Sequence, residues 1–172
     1  MNLKRAGQLF FLIAFILTVD FITKDYVHSS IPLMHWSSPF YPYGGIPVFE
    51  DWHGISFSIN HVINKGAAWG MFATFQQVLL YLRMAVIGGL LTYLIFFPLS
   101  TARQIFFSLI VAGAIGNVLD YFVYGHVIDM FHFTFWGYTY PIFNVADSAI
   151  CVGIFFIFLQ GIVHKFKSFK TA

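Results

Sequence analysis

Asp120, Asp129 and Asp147 each border or interrupt an apolar run, where a carboxylate is costly unless it has a partner or a task. Asp129 is the hardest to explain by structure alone, because it stands between Val127-Ile128 and Met130-Phe131. Asp147 follows Asn144 at the spacing of a helix capping box, in which the amide accepts from the helix start and the acid favours the positive end of the dipole. Asp120 follows Asn117 on one helix face, as a hydrogen-bonding pair between helices would. Two acids held close together cannot both ionise. Sharing one proton, they divide into a general base for water and a general acid. That chemistry hydrolyses a peptide bond with neither a metal nor a covalent intermediate.

Other constellations offer less. His126 and His132 bracket Asp129, but no H-E-x-x-H spacing accompanies them, so neither a metal nor any other cofactor is expected. Ser148 has no histidine at a recognisable triad spacing. Cys151 is the single cysteine and lies in an apolar run, where helix packing explains it and a disulfide framework is excluded. Trp36, Trp52, Trp69 and Trp136 suit an aromatic belt at a membrane interface.

The elements that position these groups follow from composition. Of 172 residues, 59% are hydrophobic and only 9% charged, against roughly 25% charged in a soluble chain, so the solvent is lipid. A net charge of +2 without a basic stripe argues against nucleic acid as a partner. A spanning helix needs roughly 20 apolar residues, and residues 6–27, 78–99, 105–124 and 144–163 are read as four such helices. The apolar core of the first, Leu9 to Val19, is short, so its last turns span only if Asp20 faces protein or a wet cavity. Lys4 and Arg5 imitate a secretory signal, but no small-x-small cleavage site follows before Asp20, so the helix is read as retained.

Placing both termini in the cytoplasm puts Lys4, Arg5, Arg103, Lys165, Lys167 and Lys170 inside and every acid outside. The chemistry then belongs to the outer face, which in a bacterium is the periplasmic or outer face of the cytoplasmic membrane. The outer segments are residues 28–77 and 125–143 of a single domain, 1–172. In the first, Ile55, Phe57 and Ile59 alternate with Ser56, Ser58 and Asn60 as in a half-buried strand, and Asn64-Lys65-Gly66 reads as a turn. The second is read as a short loop or helix. The class is therefore membrane all-α with a strand-bearing outer segment.

Five short boxes carry a resemblance. Asp20 with Lys24 (D-x-x-x-K), Asn64-Lys65-Gly66-Ala67-Ala68-Trp69 (N-x-G-x-A-[FW]), Gly116-Asn117-Val118-Leu119-Asp120 (G-N-x-x-D), Gly125 to Asp129 (G-x-V-[VI]-D) and Phe143 to Ser148 (F-N-x-A-D-S) occur in the order found in bacterial lipoprotein signal peptidases, the signal peptidase II family, which the chain resembles over essentially its whole length. The resemblance implies an integral-membrane aspartyl endopeptidase that cuts prolipoproteins before a diacylglyceryl-modified cysteine, with a β-rich cradle between helices one and two. It makes Asp129 and Asp147 the catalytic dyad. Asp20, Lys24, Asn64, Gly66, Asn117, Asp120, Asn144 and Ala146 become supporting or substrate-binding positions. Its implied partners are prolipoproteins and membrane lipids, and a monomer is expected. The chain departs from the family's G-N-x-x-D-R at Tyr121, so Arg83, Lys65 or nothing is expected to replace the missing cation; Arg83 is otherwise expected to neutralise a carboxylate or meet lipid headgroups. The competing class is a non-catalytic membrane protein that binds lipoproteins or relays ions through Asp120, Asp129 and Asp147.

Overall fold

In a computed structural model, which describes residues 3–35, 41–66 and 71–170, the chain runs α1 (Leu3–Ser30), β1 (Ile46–Trp52), β2 (Ile55–Asn64), α2 (Gln76–Phe96), α3 (Thr101–Tyr124), β3 (Val127–Phe135), β4 (Tyr138–Thr139) and α4 (Val145–Lys170). All four helices are long and apolar enough to cross a membrane. Their bulky side chains point outward, among them Phe10, Phe15, Phe96, Phe122 and Phe158, as lipid permits and water does not. Local chemistry sets the ends. Pro98 excludes the preceding residue from helical backbone, so Phe97 is extended and α2 stops at Phe96 instead of running on to 99. Ser100 caps α3, its hydroxyl accepting the Arg103 N–H at 3.4 Å, so that helix begins earlier than its apolar run.

The polar and small residues have gone inside. Helix α3 is central, burying Val111, Ala112, Gly113, Gly116, Asn117 and Asp120 against its neighbours. Lipid provides no hydrophobic drive between helices, so close backbone approach through small residues supplies the attraction. Gly113 faces the Ala146 carbonyl so closely that no side chain fits. A Cβ on Gly116 would stand 2.7 Å from an Asp20 carboxylate oxygen and 3.3 Å from the Ala146 methyl, and one on Gly153 would stand 2.6 Å from the Phe106 carbonyl oxygen. These contacts lock α1, α3 and α4 together.

The outer segments form one antiparallel sheet in the order β1-β2-β3-β4. Residues 125–143 were expected to be a short loop or helix, and the structure corrects this. Val127–Phe135 pairs along β2, from Ile55 opposite Phe135 to Asn64 opposite Val127. The run Val-Ile-Asp-Met-Phe-His-Phe-Thr-Phe is rich in β-branched and aromatic residues. It starts two residues after Gly125, whose φ of 77° ends α3, and stops at a turn where Trp136 and Gly137 both have positive φ. Stacked rings reinforce the pairing, with Phe57 and Phe133 centred 4.2 Å apart. A shift of register between Ile59 and Val62 frees Asn60 and His61 from β3. His61 Nδ1 then donates to the Ile31 carbonyl at 2.9 Å, and Met34 N donates to His61 O at 2.8 Å, tying the sheet to the end of α1.

Candidate active site

Pairing β2 with β3 brings two distant loops together, so that Asn64 at the end of one strand reaches Asp129 in the other. Asp129 is 2% exposed. Its Oδ2 accepts from Asn64 Nδ2 at 3.0 Å and its Oδ1 from Asn144 Nδ2 at 2.7 Å. Asp147 lies in the first turn of α4, where its Oδ1 accepts from Asn117 Nδ2 at 2.8 Å. The capping box is present in both directions: Asp147 N donates to Asn144 Oδ1 at 2.8 Å and Asn144 N to Asp147 Oδ2 at 3.4 Å. Cap and site are thus one device. Asn144, fully buried, fixes the start of α4 with its oxygen and holds Asp129 with its nitrogen. Burial, and then the charge of Asp147, push the Asp129 carboxyl up to about 7, outweighing the Asn64 and Asn144 donors and the Lys24 ammonium.

Beneath the two acids lies Lys24, fully buried, whose Nζ is 2.7 Å from Asp20 and 2.7 Å from Asp120, and donates to Asn117 Oδ1 at 3.1 Å. The i, i+4 pair within α1 was legible in the sequence. The pairing with Asp120 was not: Arg83, Lys65 or nothing was expected to replace the family arginine absent at Tyr121, and the cation found beside Asp120 comes from α1. Asp120 in turn accepts the Ile128 N–H at 3.3 Å, and Asp20 accepts the Ala146 N–H at 2.8 Å. Each supporting acid therefore holds the backbone immediately before one acid of the Asp129–Asp147 pair. Signals for this lay in Asp20, Lys24 and Asp120 falling within apolar helices, where charges that are buried must find partners.

Arg83 meets no carboxylate among the described residues; its Nη2 donates to the Gly66 carbonyl at 2.8 Å, while Gly66 N donates to Asn64 Oδ1 at 2.9 Å. Tyr121 packs edge-on against Phe122 at 5.7 Å. His132, three residues along β3 from Asp129, points to the opposite side of the strand, and His126 precedes the strand. His132 Nδ1 is 3.3 Å from Ser58 Oγ, and His126 lies 6.5 Å from the His28 ring. No group of metal-ligating side chains is formed among the described residues. Ser148 Oγ donates to the Asn144 carbonyl at 2.9 Å. Trp52 and Trp136 stand exposed at the two hairpin tips; Trp36, and Ala67, Ala68 and Trp69 of the second box, lie outside the described residues.

Two cavities flank this cluster. One, of about 610 Å³, reaches Asp129 past Lys65 and Ala73. The other, of about 630 Å³, reaches Asp147 between Arg83 and Cys151, and Asn64 and the segment Tyr140-Pro141-Ile142 border both. The arrangement suits a chain that crosses from one cavity to the other over the paired acids.

Comparison with known proteins agrees in sequence and in fold. The lipoprotein signal peptidase of Chlamydia pneumoniae is 43% identical over 119 residues, 68% of each chain, and that of Bacillus subtilis strain 168 is 32% identical over 165 residues, 95% of this chain and 99% of its own. A bacterial membrane enzyme solved by the in meso method at 2.3 Å resolution superposes with a TM-score of 0.75 at 24% identity, covering 92% of this chain and 90% of its own, which speaks for the fold. The family profile for signal peptidase (SPase) II matches residues 12–163. That span contains every acid and amide of the cluster, from Asp20 to Asp147, and by its extent the chain belongs to the signal peptidase II family.

Proposed function

We propose that the protein is an aspartyl endopeptidase of the bacterial cytoplasmic membrane that removes the signal peptide from diacylglyceryl-modified prolipoproteins, hydrolysing the bond before the lipidated cysteine. The observation that carries this reading is the sharing of Asn144 by both carboxyls: its side-chain Nδ2 donates to Asp129 and its backbone N–H to Asp147, which gathers the two acids in one cluster. The gathering of Lys4, Arg5 and Arg103 at one end of the bundle and of all seven acids toward the other supports cytoplasmic termini and an outward-facing site. The same gathering counts against an ion relay, which asks for acids spread through the depth of the membrane. The substrate's acyl chains stay in the bilayer, so the scissile bond and the dyad share one depth and the enzyme acts on it as a monomer.

Asp129, with its carboxyl raised to about 7, is protonated in about half of the molecules at neutral pH, and in that form it donates the proton toward the scissile carbonyl oxygen. Asp147, half-exposed to the second cavity, takes a proton from the attacking water. The resulting gem-diol collapses as Asp147 returns that proton to the leaving nitrogen and Asp129 recovers its own. Asn64, Asn117 and Asn144 hold the carboxylate faces that the substrate does not use. Positioning of this kind contributes much of the rate, because anchoring turns encounter in solution into encounter within a surface.

The test is cleavage of a diacylglyceryl-modified prolipoprotein by the purified protein in liposomes, beside Asp129→Asn and Asp147→Asn. A mobility shift with the wild type alone, unaffected by chelator and absent for unlipidated substrate, is expected. Full activity in either variant sinks the dyad.

A further inference from the structure

We infer that Arg83 is a substrate-binding residue that recognises the ester carbonyl groups of the diacylglyceryl moiety, a reading that rests on the lipoprotein substrate proposed above. Arg83 is the one charged residue in α2, from Gln76 to Phe96. A guanidinium near hydrocarbon is retained where it faces a polar cavity with a function. Here it lines the cavity that ends at Asn117 and Asp147 on its polar side and continues along α4 past Ile150, Cys151 and Val152. Cys151 and Val152 are exposed, so this wall opens to lipid.

A guanidinium has five N–H donors in a fixed plane, and one hydrogen bond, from Nη2 to the Gly66 carbonyl, orients the group. The remaining donors have no carboxylate partner among the described residues. A lipid-modified cysteine entering between α2 and α4 brings its acyl chains against the apolar wall and its scissile bond to Asp147. Between these lie two glycerol ester carbonyls, neutral acceptors for Arg83, the one cation among the described residues lining the cavity. Arg83 satisfies them without requiring an anionic headgroup. Loop anchoring through Gly66 alone would give Arg83 no sensitivity to how the chains are linked to glycerol, and that difference is the test.

The experiment uses the full-length protein in nanodiscs and two synthetic prolipopeptides of equal chain length, one with diacyl ester and one with dialkyl ether linkages, the ether oxygens being far poorer acceptors. Binding is read by competition, separately from cleavage. Wild type is expected to favour the ester peptide about tenfold or more, the range of charge-assisted hydrogen bonds, chiefly in KM. In Arg83→Gln the preference falls to about one while ether-peptide affinity is unchanged; Arg83→Lys keeps part of it. Equal losses on both peptides, or a wild-type ratio near one, overturn the assignment, the latter without recourse to any variant. Ester-selective binding by wild type without cleavage would sink the peptidase reading and keep this one.

Discussion

The ammonium of Lys24 lies 2.7 Å from the carboxylate of Asp120, joining the first transmembrane helix to the third directly beneath the candidate dyad. A second carboxylate, Asp20, shares it at 2.7 Å. Two acids and one base are buried together, and the backbone N–H groups of Ile128 and Ala146 supply further donors to the acids. The arrangement converts a costly burial of charge into a brace for the residues that follow those amides, Asp129 and Asp147.

Lys24→Met leaves both acids without their cation. Breaking a buried pair by removing one partner costs about 3–5 kcal/mol, so a large fall in Tm and loss of cleavage are expected. Adding Asp20→Asn and Asp120→Asn to the same chain should recover much of the Tm. A Lys24→Met protein as stable as wild type would show that the brace carries no weight.

Asn144→Ala removes the helix cap, the acceptor for Asp147 N, worth about 1 kcal/mol, and also the donor to Asp129. Activity should fall much further than stability does, by roughly 10²-fold or more if the dyad is to be held for proton transfer. Parallel measurement of Tm and kcat decides it: proportionate losses would make Asn144 a cap and nothing else.

Asp129 has its folded-state carboxyl raised from 3.8 to about 7. The folded state therefore holds a proton that the unfolded state releases, and stability declines as pH rises from about 4 to about 7, then levels off. Asp129→Asn is expected to be inactive yet more stable than wild type at pH 8, with the difference fading toward pH 4. In the wild type, kcat/KM should fall on a limb with an apparent pKa near 7 that belongs to the pair of acids. Thermal melts at both pH values, with the pH–rate profile, check the two halves independently.

Gly116→Leu forces a side chain between Asp20 and Ala146, where even a Cβ would meet a carboxylate oxygen at 2.7 Å. Overpacking costs about 1–3 kcal/mol, and here it also displaces the acid that holds the Ala146 N–H. Gly88→Leu in α2, where nothing lies within 4 Å of the added Cβ, is the control and should leave Tm and cleavage near wild type. Equal tolerance at both positions would sink the close-approach argument.

Hydropathy and charge determine by themselves that this chain crosses a membrane four times, because apolar length and the scarcity of charge are local properties that a bilayer reads directly. The residues that the structure gathers into one cluster, Asp129, Asp147, Asn64 and Asn144, stood out in the sequence as well, since a polar residue beside an apolar run declares itself. The strand of Ile55, Phe57 and Ile59 showed as alternation; its hairpin with β1 and the joining of Val127–Phe135 did not, because a continuous apolar run is compatible with strand, helix or loop until a partner edge presents itself. Tertiary structure alone decided which cation meets Asp120 and where Arg83 points. Lys24 and Asp120 are far apart in the chain, and their meeting depends on the glycine contacts that set how closely α1, α3 and α4 approach. Partner choice among buried charges is a property of packing geometry, and composition and spacing constrain only that some partner must be found.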